Sequence, residues 1–103
     1  MLETVSARLR MRSSSLNEHL YIKNIIDNPN CLCGEIESTY HYLFKCPKYT
    51  RQQSSLFRKL FQLLNIRPSE NFLLFGSPDL DIDSNIIVFT TVHEFISQSK
   101  RFS

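Results

Sequence analysis

Long apolar runs are missing from this chain. Nothing approaches the roughly 18 consecutive apolar residues of a membrane-crossing helix, so no membrane association is expected. The N-terminal residues MLETVSARLRMR lack the apolar centre of a secretory signal, which leads to an expectation of nucleus or cytoplasm. Thiols stay reduced there, and an odd number of cysteines, three, argues against a closed disulfide framework. Glycine and proline are also scarce, two and four in 103 residues, while 42% of the chain is apolar, so a disordered tail is not expected. The length suits one domain and is too short for two separate cores. At this size any cross-link adds noticeably to stability.

Signatures of catalysis are missing too. There are no paired carboxylates, no phosphate-cradling glycine loop and no G-x-S-x-G, so neither an enzyme nor a small-molecule substrate is expected. Asp79, Asp81 and Asp83 alternate in a way that invites a calcium loop. However, no glycine follows at the turn position and no glutamate closes a twelve-residue loop, so they read as a solvated turn and a helix cap.

What the chain does have is helical periodicity. Residues 3–11 form a first helix, with Val5 and Leu9 four apart. A serine of Ser13-Ser14-Ser15 caps a second over SLNEHLYIKNII, with Leu16, Leu20 and the Lys23 stem on one face, and Asp27-Asn28-Pro29-Asn30 ends it. Ser38 caps a short helix from Thr39 to Phe44 or Lys45, which Pro47 stops. A longer helix runs from about Tyr49 to Asn65, with Leu56, Phe57, Leu60, Phe61, Leu63 and Leu64 on its apolar side. NFLLFG is one helical turn or an extended clip, and Gly76-Ser77-Pro78-Asp79 is a turn. Asp83 or Ser84 then caps a last helix from Asn85 to about Ser99, which buries Ile86, Phe89, Val92, Phe95 and Ile96. Lys100 and Arg101 suit the negative end of its dipole. The expected fold is a small all-α domain over residues 1–103: N-terminal helices in 1–28, an irregular zinc-binding segment in 29–50, and C-terminal helices in 51–103.

All three cysteines fall within CLCGEIESTYHYLFKC, residues 31–46, with His41 among them. Cys31, Cys33, His41 and Cys46 supply three sulfurs and one nitrogen, a donor set that suits tetrahedral zinc. Gly34 permits the positive φ of a tight turn, and amides on that turn can donate to the thiolates. On a continuous helix His41 and Cys46 would point about 140° apart, so the helix must open before Cys46 if both hold one ion. Four protein ligands leave no position for water, which makes such a zinc structural. The competing reading, three small apolar cysteines and a core histidine, does not explain why every cysteine lies in one window flanked by Gly34 and Pro47. His19 and His93 fall in separate helices and are read as exposed or core histidines.

Charge is distributed unevenly. Residues 1–59 carry nine Lys and Arg against five acids, and residues 60–103 carry three against five. That asymmetry fits a polyanionic partner. Lys45, Lys48 and Arg51 follow the ligand helix beside Tyr42 and Tyr49, where cations could hold phosphates while a ring stacks on an unpaired base. Arg8, Arg10 and Arg12 are further candidates, although alternate residues spread over about 200° of a helix. In the opposing reading Tyr40, Leu43 and Phe44 pack in the core and the lysines are merely solvated.

RLRMRSSSLNEHLY, NPNCLCGEIESTYHYLFKCPKY, NFLLFGSPDLD and VHEFISQSKRF together resemble the C-terminal end of reverse transcriptases of LINE-type (non-LTR) retrotransposons, those of jockey-type elements of animals above all. The shared pattern is R-L-R, C-x-C-G, a Glu-Ser/Thr pair, H-x4-C-P, L-L-F-G and a closing F-I…K-R-F. The resemblance implies a zinc-knuckle-like region that assists nucleic-acid handling during target-primed reverse transcription, with Cys31, Cys33, His41 and Cys46 as ligands. RNA or single-stranded DNA, and the polymerase body of the parent element, are the partners it implies. Polymerase and endonuclease motifs are not in the chain, so the expectation is a tail fragment or remnant without polymerase activity. A structural zinc module that contacts protein is the alternative.

Overall fold

Apolar side chains three and four apart give the chain two long helices, α3 (Thr50–Leu64) and α5 (Ile82–Ser99). In the computed structural model, which describes residues 2–102, these two make the principal interface of the fold. They run antiparallel. Tyr42, shortly before α3, bonds to Ser99 at the end of α5, and Lys59 in the second half of α3 pairs with Glu94. Leu56 and Leu60 of α3 and Val88, Val92, Phe95 and Ile96 of α5 are buried in the core. Each such side chain contributes roughly 1.5–3 kcal/mol by leaving water.

The shorter elements cover this pair. α1 (Leu2–Arg10) packs on α5 and on α4 (Glu70–Phe75), burying Leu9. α2 (Asn17–Ile22) follows a turn in which Ser14 and Leu16 are buried. Residues 23–40 are largely irregular, with a lone antiparallel bridge between Asn30 and Ile36. No strand occurs among the described residues, and the all-α expectation holds.

Helix ends account for most differences from the sequence reading. α2 stops at Ile22 rather than continuing to Ile26, because Asn24 takes a left-handed φ of 59°. The Asn24 N–H then donates to Tyr21 O and the Ile25 N–H to Leu20 O, which closes the helix. Arg12, at φ 53°, ends α1 in the same manner. α4 is the helical one of the two forms considered for NFLLFG; Ser69 Oγ accepts from Phe72 N–H at 3.2 Å. α5 begins at Ile82, three residues earlier than expected, and its cap is Asp81, whose Oδ1 accepts from Ser84 N–H at 2.7 Å. Phe61 and Leu63, expected on the buried stripe of α3, are 54% and 61% exposed, since α5 covers only the Leu56–Leu60 side. Ile86, expected to be buried, is exposed as well.

Candidate metal centre

The three cysteines and His41 converge. One donor atom from each of Cys31, Cys33, His41 and Cys46 lies within 4.8 Å of every other, and the thiols are free of disulfides. Cys31 Sγ and Cys46 Sγ are 3.7 Å apart, and Cys33 Sγ is 3.3 Å from His41 Nε2. Together these residues could hold a metal ion. His19 and His93 stand outside the group.

Two local structures bring the donors together. The first is the turn at Cys31, where Gly34 N–H donates to Cys31 O at 3.0 Å and Cys31 N–H donates back to Glu35 O at 2.6 Å. Gly34 has φ +100°, the left-handed backbone anticipated for it, and nothing lies within 4 Å of the position a Cβ would take. The second is the ligand helix. Ser38 Oγ accepts from His41 N–H at 3.0 Å and so caps it, as expected. From His41 to Lys45 the backbone then widens into a π-turn, in which Cys46 N–H donates to His41 O at 2.7 Å. A ring closed five residues apart brings Cys46 back over His41, and the 140° divergence of an α-helix disappears. Cys46 itself is extended, with ψ 121°, just before Pro47. The helix therefore opens where the ligand set requires, by widening as well as by stopping.

The two buried sulfurs sit in unlike electrostatic settings. Burial pushes the Cys31 thiol up, but a hydrogen bond from Cys33 N–H and contacts with the Cys33 and Cys46 thiols outweigh it, and the net direction is down. Cys46 is pushed up to about 11, mainly by burial, although Lys48 N–H donates to its sulfur. Two sulfurs at 3.7 Å cannot both be anionic unless positive charge sits between them. The donating amides are the expected ones on the cysteine turn, joined by one from Lys48.

Surrounding side chains hold the loop on the helices. Gln53 of α3 donates from Nε2 to both Tyr42 O and Cys46 O at 3.1 Å, satisfying carbonyls at the end of the π-turn. Glu37 is buried and takes Arg101 through both carboxylate oxygens, at 2.7 and 2.9 Å, and Asn17 N–H at 2.8 Å. His19 is a core histidine, between Ser14 Oγ at 2.7 Å and Thr39 Oγ1 at 3.2 Å. Sequence reasoning missed the Gln53 and Glu37 contacts, whose partners lie far along the chain, and left His19 open between an exposed and a core place.

The surface candidates divide. Lys45, Lys48 and Arg51 are exposed near the centre, and Arg8 and Arg12 are exposed on and after α1. Arg10 is turned to the fold; its Nε donates to Leu74 O and its guanidinium lies over the Phe89 ring at 5.4 Å. Tyr42 and Tyr49 are corrected. Tyr42 is fully buried among the Tyr49, Phe95 and Phe102 rings, and Tyr49 is buried edge-on to Tyr42 and Phe95, so neither can stack on a base. Tyr40, which the opposing reading placed in the core, is the exposed ring: it stacks on Phe44 at 5.0 Å. It lines an open cleft of about 730 Å³ beside Cys33, His41 and Lys45.

Fold and site thus define a small helical domain with a Cys3His cluster fit to hold a metal ion. Comparison of the chain with protein-family models, with curated proteins and with solved structures finds no match. No helix among the described residues is long and apolar enough to cross a membrane.

Proposed function

We propose that the chain is a structural zinc module that binds single-stranded RNA or DNA, and that it serves beside the polymerase body of a LINE-type reverse transcriptase. The observation that carries the zinc assignment is the convergence of the four donors within 4.8 Å of one another, with one sulfur pair at the spacing zinc sets. Zn–S bonds of about 2.3 Å put neighbouring sulfurs of a tetrahedron roughly 3.7–3.8 Å apart, and Cys31 and Cys46 stand at 3.7 Å. Three thiolates and an imidazole suit zinc better than the oxygen-seeking cations. Four protein donors leave no position for substrate, so the role is non-catalytic. The reduced thiols suit a nuclear or cytoplasmic protein.

Support for nucleic acid is the set of exposed cations at and after the end of the ligand helix, Lys45, Lys48 and Arg51, of which Lys45 lines the same cleft as the exposed ring of Tyr40. Cations there hold phosphates, and Tyr40 offers a ring for a base. The likeness to retrotransposon reverse transcriptases points the same way. The test is a titration of fluorescent single-stranded oligonucleotides at rising salt. Three phosphate contacts give a log–log slope near −2 for single strands, and the triple change Lys45→Ala, Lys48→Ala, Arg51→Ala abolishes most of it with the fold intact. No affinity at low salt, or a triple variant that binds like the parent, contradicts the reading.

A further inference from the structure

Two surface features not used by the metal centre complement each other. The first is an apolar groove of about 450 Å³ between the ligand helix and the end of α3. Phe44, Phe57, Phe61, Ile66 and Pro68 form it, with Arg58 and Arg67 at its edge and no acidic residue in its lining. Phe44 and Phe57 stack at 5.3 Å, which gives the groove a fixed floor. The second feature is a knob at the start of α5. Ile82 and Ile86 are 78% and 54% exposed, and a spacing of four residues puts them on one face of the helix. Asp79 and Asp83 flank them, exposed, while Asp81 is engaged as the helix cap.

Both features are apolar at the centre and charged at the edge, with opposite signs. The ion pairs among the described residues, Lys59–Glu94 and Arg101–Glu37, use none of these charges. Large exposed apolar side chains grouped with complementary charge mark an interaction surface. Within one chain the knob does not fill the groove, whose lining contains no residue of α5. Since α3 and α5 are antiparallel, the groove at the end of α3 and the knob at the start of α5 lie toward the same end of the helix pair. A two-fold arrangement about that end, with each knob against the other groove, is what the opposite edge charges suit.

We propose that this chain associates with a second copy of itself in that way: Ile82 and Ile86 of one copy enter the groove of the other, and Asp79 and Asp83 meet Arg58 and Arg67. The contact is isologous and therefore stops at a dimer. Its charged rim makes it sensitive to salt. Self-association of this kind uses none of the four candidate metal donors and none of Lys45, Lys48 and Arg51, although the groove's Phe44 belongs to the segment that carries those donors, and it gives the D-x-D-x-D stretch and its exposed isoleucines a role.

The test is sedimentation velocity on the zinc-loaded, nuclease-treated protein from about 10 μM to 1 mM, a range that captures weak dimers. The parent shows a reversible monomer–dimer equilibrium that shifts toward monomer as salt rises. Arg67→Glu or Asp83→Lys alone weakens the dimer at least about tenfold by setting like charges together. An equimolar mixture of the two variants recovers it, because the carboxylate introduced in one copy then faces the ammonium introduced in the other. Circular dichroism establishes that each variant is folded; Arg58→Glu with Asp79→Lys is a second pair should one of the first fail to fold. A parent that stays monomeric throughout, a dimer indifferent to the reversals, or a mixture no stronger than its components overturns the proposal.

Discussion

Glu37 and Arg101, sixty-four residues apart, form a two-pronged ion pair that ties the segment between the candidate metal donors to the residues after α5. The Glu37 side chain is 5% exposed and that of Arg101 is 22% exposed, so the pair is largely shielded from water. Arg101 also donates to Ser15 O at 2.9 Å, while the Glu37 backbone N–H donates to Pro29 O and its carbonyl accepts from Glu18 N–H. One residue thus joins the metal loop, the start of α2 and the tail after α5.

Removing Arg101 leaves that carboxylate buried without its partner. Arg101→Ala is expected to cost about 3 kcal/mol, read from urea melts of the zinc-loaded protein. Arg101→Lys keeps the charge but not the planar fork, and falls between the two. A loss below about 0.5 kcal/mol for Arg101→Ala would show that the pair behaves as an ordinary surface contact.

Stability should decline with acid in two stages. Burial holds His19 below its ordinary value of 6.5, so the unfolded chain takes up that proton first and stability falls as pH drops below 6.5. Burial pushes Glu37 up, but hydrogen bonds from Arg101 and Asn17 outweigh it and hold the carboxyl below its ordinary 4.5. Its contribution is therefore complete above that value and is lost as pH falls through the lower, folded one. His19→Gln flattens the first stage and Glu37→Gln the second. Plotting the difference between parent and variant cancels the protons taken up by the metal ligands, which both share. Parallel curves would contradict the assignment.

Core and metal should be separable. Leu60→Ala empties buried space between α3 and α5 and is expected to cost about 2–5 kcal/mol while the metal stays bound. Cys46→Ser is expected to release the metal and loosen residues 29–50. The loss is large, because zinc contributes roughly 10–16 kcal/mol to small modules of this kind. Hydrogen exchange distinguishes the two: fast amides in 29–50 with α3 and α5 still protected for Cys46→Ser, and weakened helices for Leu60→Ala.

How much of this was legible in the sequence depends on the range of the interaction. The long helices, the Ser38 cap and the Gly34 turn rest on residues a few positions apart and are present, while the apolar stripes are present in part, with Phe61, Leu63 and Ile86 exposed. The four donors were legible because thiols and imidazole have few other reasons to gather. The aromatic assignment failed on geometry. Tyr40 and Phe44 are four apart and share a face of the ligand helix, whereas Tyr42 lies nearly opposite, so one set had to enter the core. Periodicity cannot choose between faces that are both aromatic. The π form of the helix opening and the Glu37–Arg101 pair depend on tertiary closure and leave no local pattern, whereas Asn24 is a local stop signal that the apolar run to Ile26 masked.

In the proposed structural zinc module, one divalent ion organises residues 29–50 through Cys31, Cys33, His41 and Cys46. X-ray absorption at the zinc edge, combined with elemental analysis of the reduced protein, tests it most directly. One zinc per chain is expected, with three sulfurs at about 2.3 Å and one nitrogen at about 2.0 Å. A protein that folds the same way with no metal, or with Cys31 and Cys46 joined as a disulfide, would contradict it.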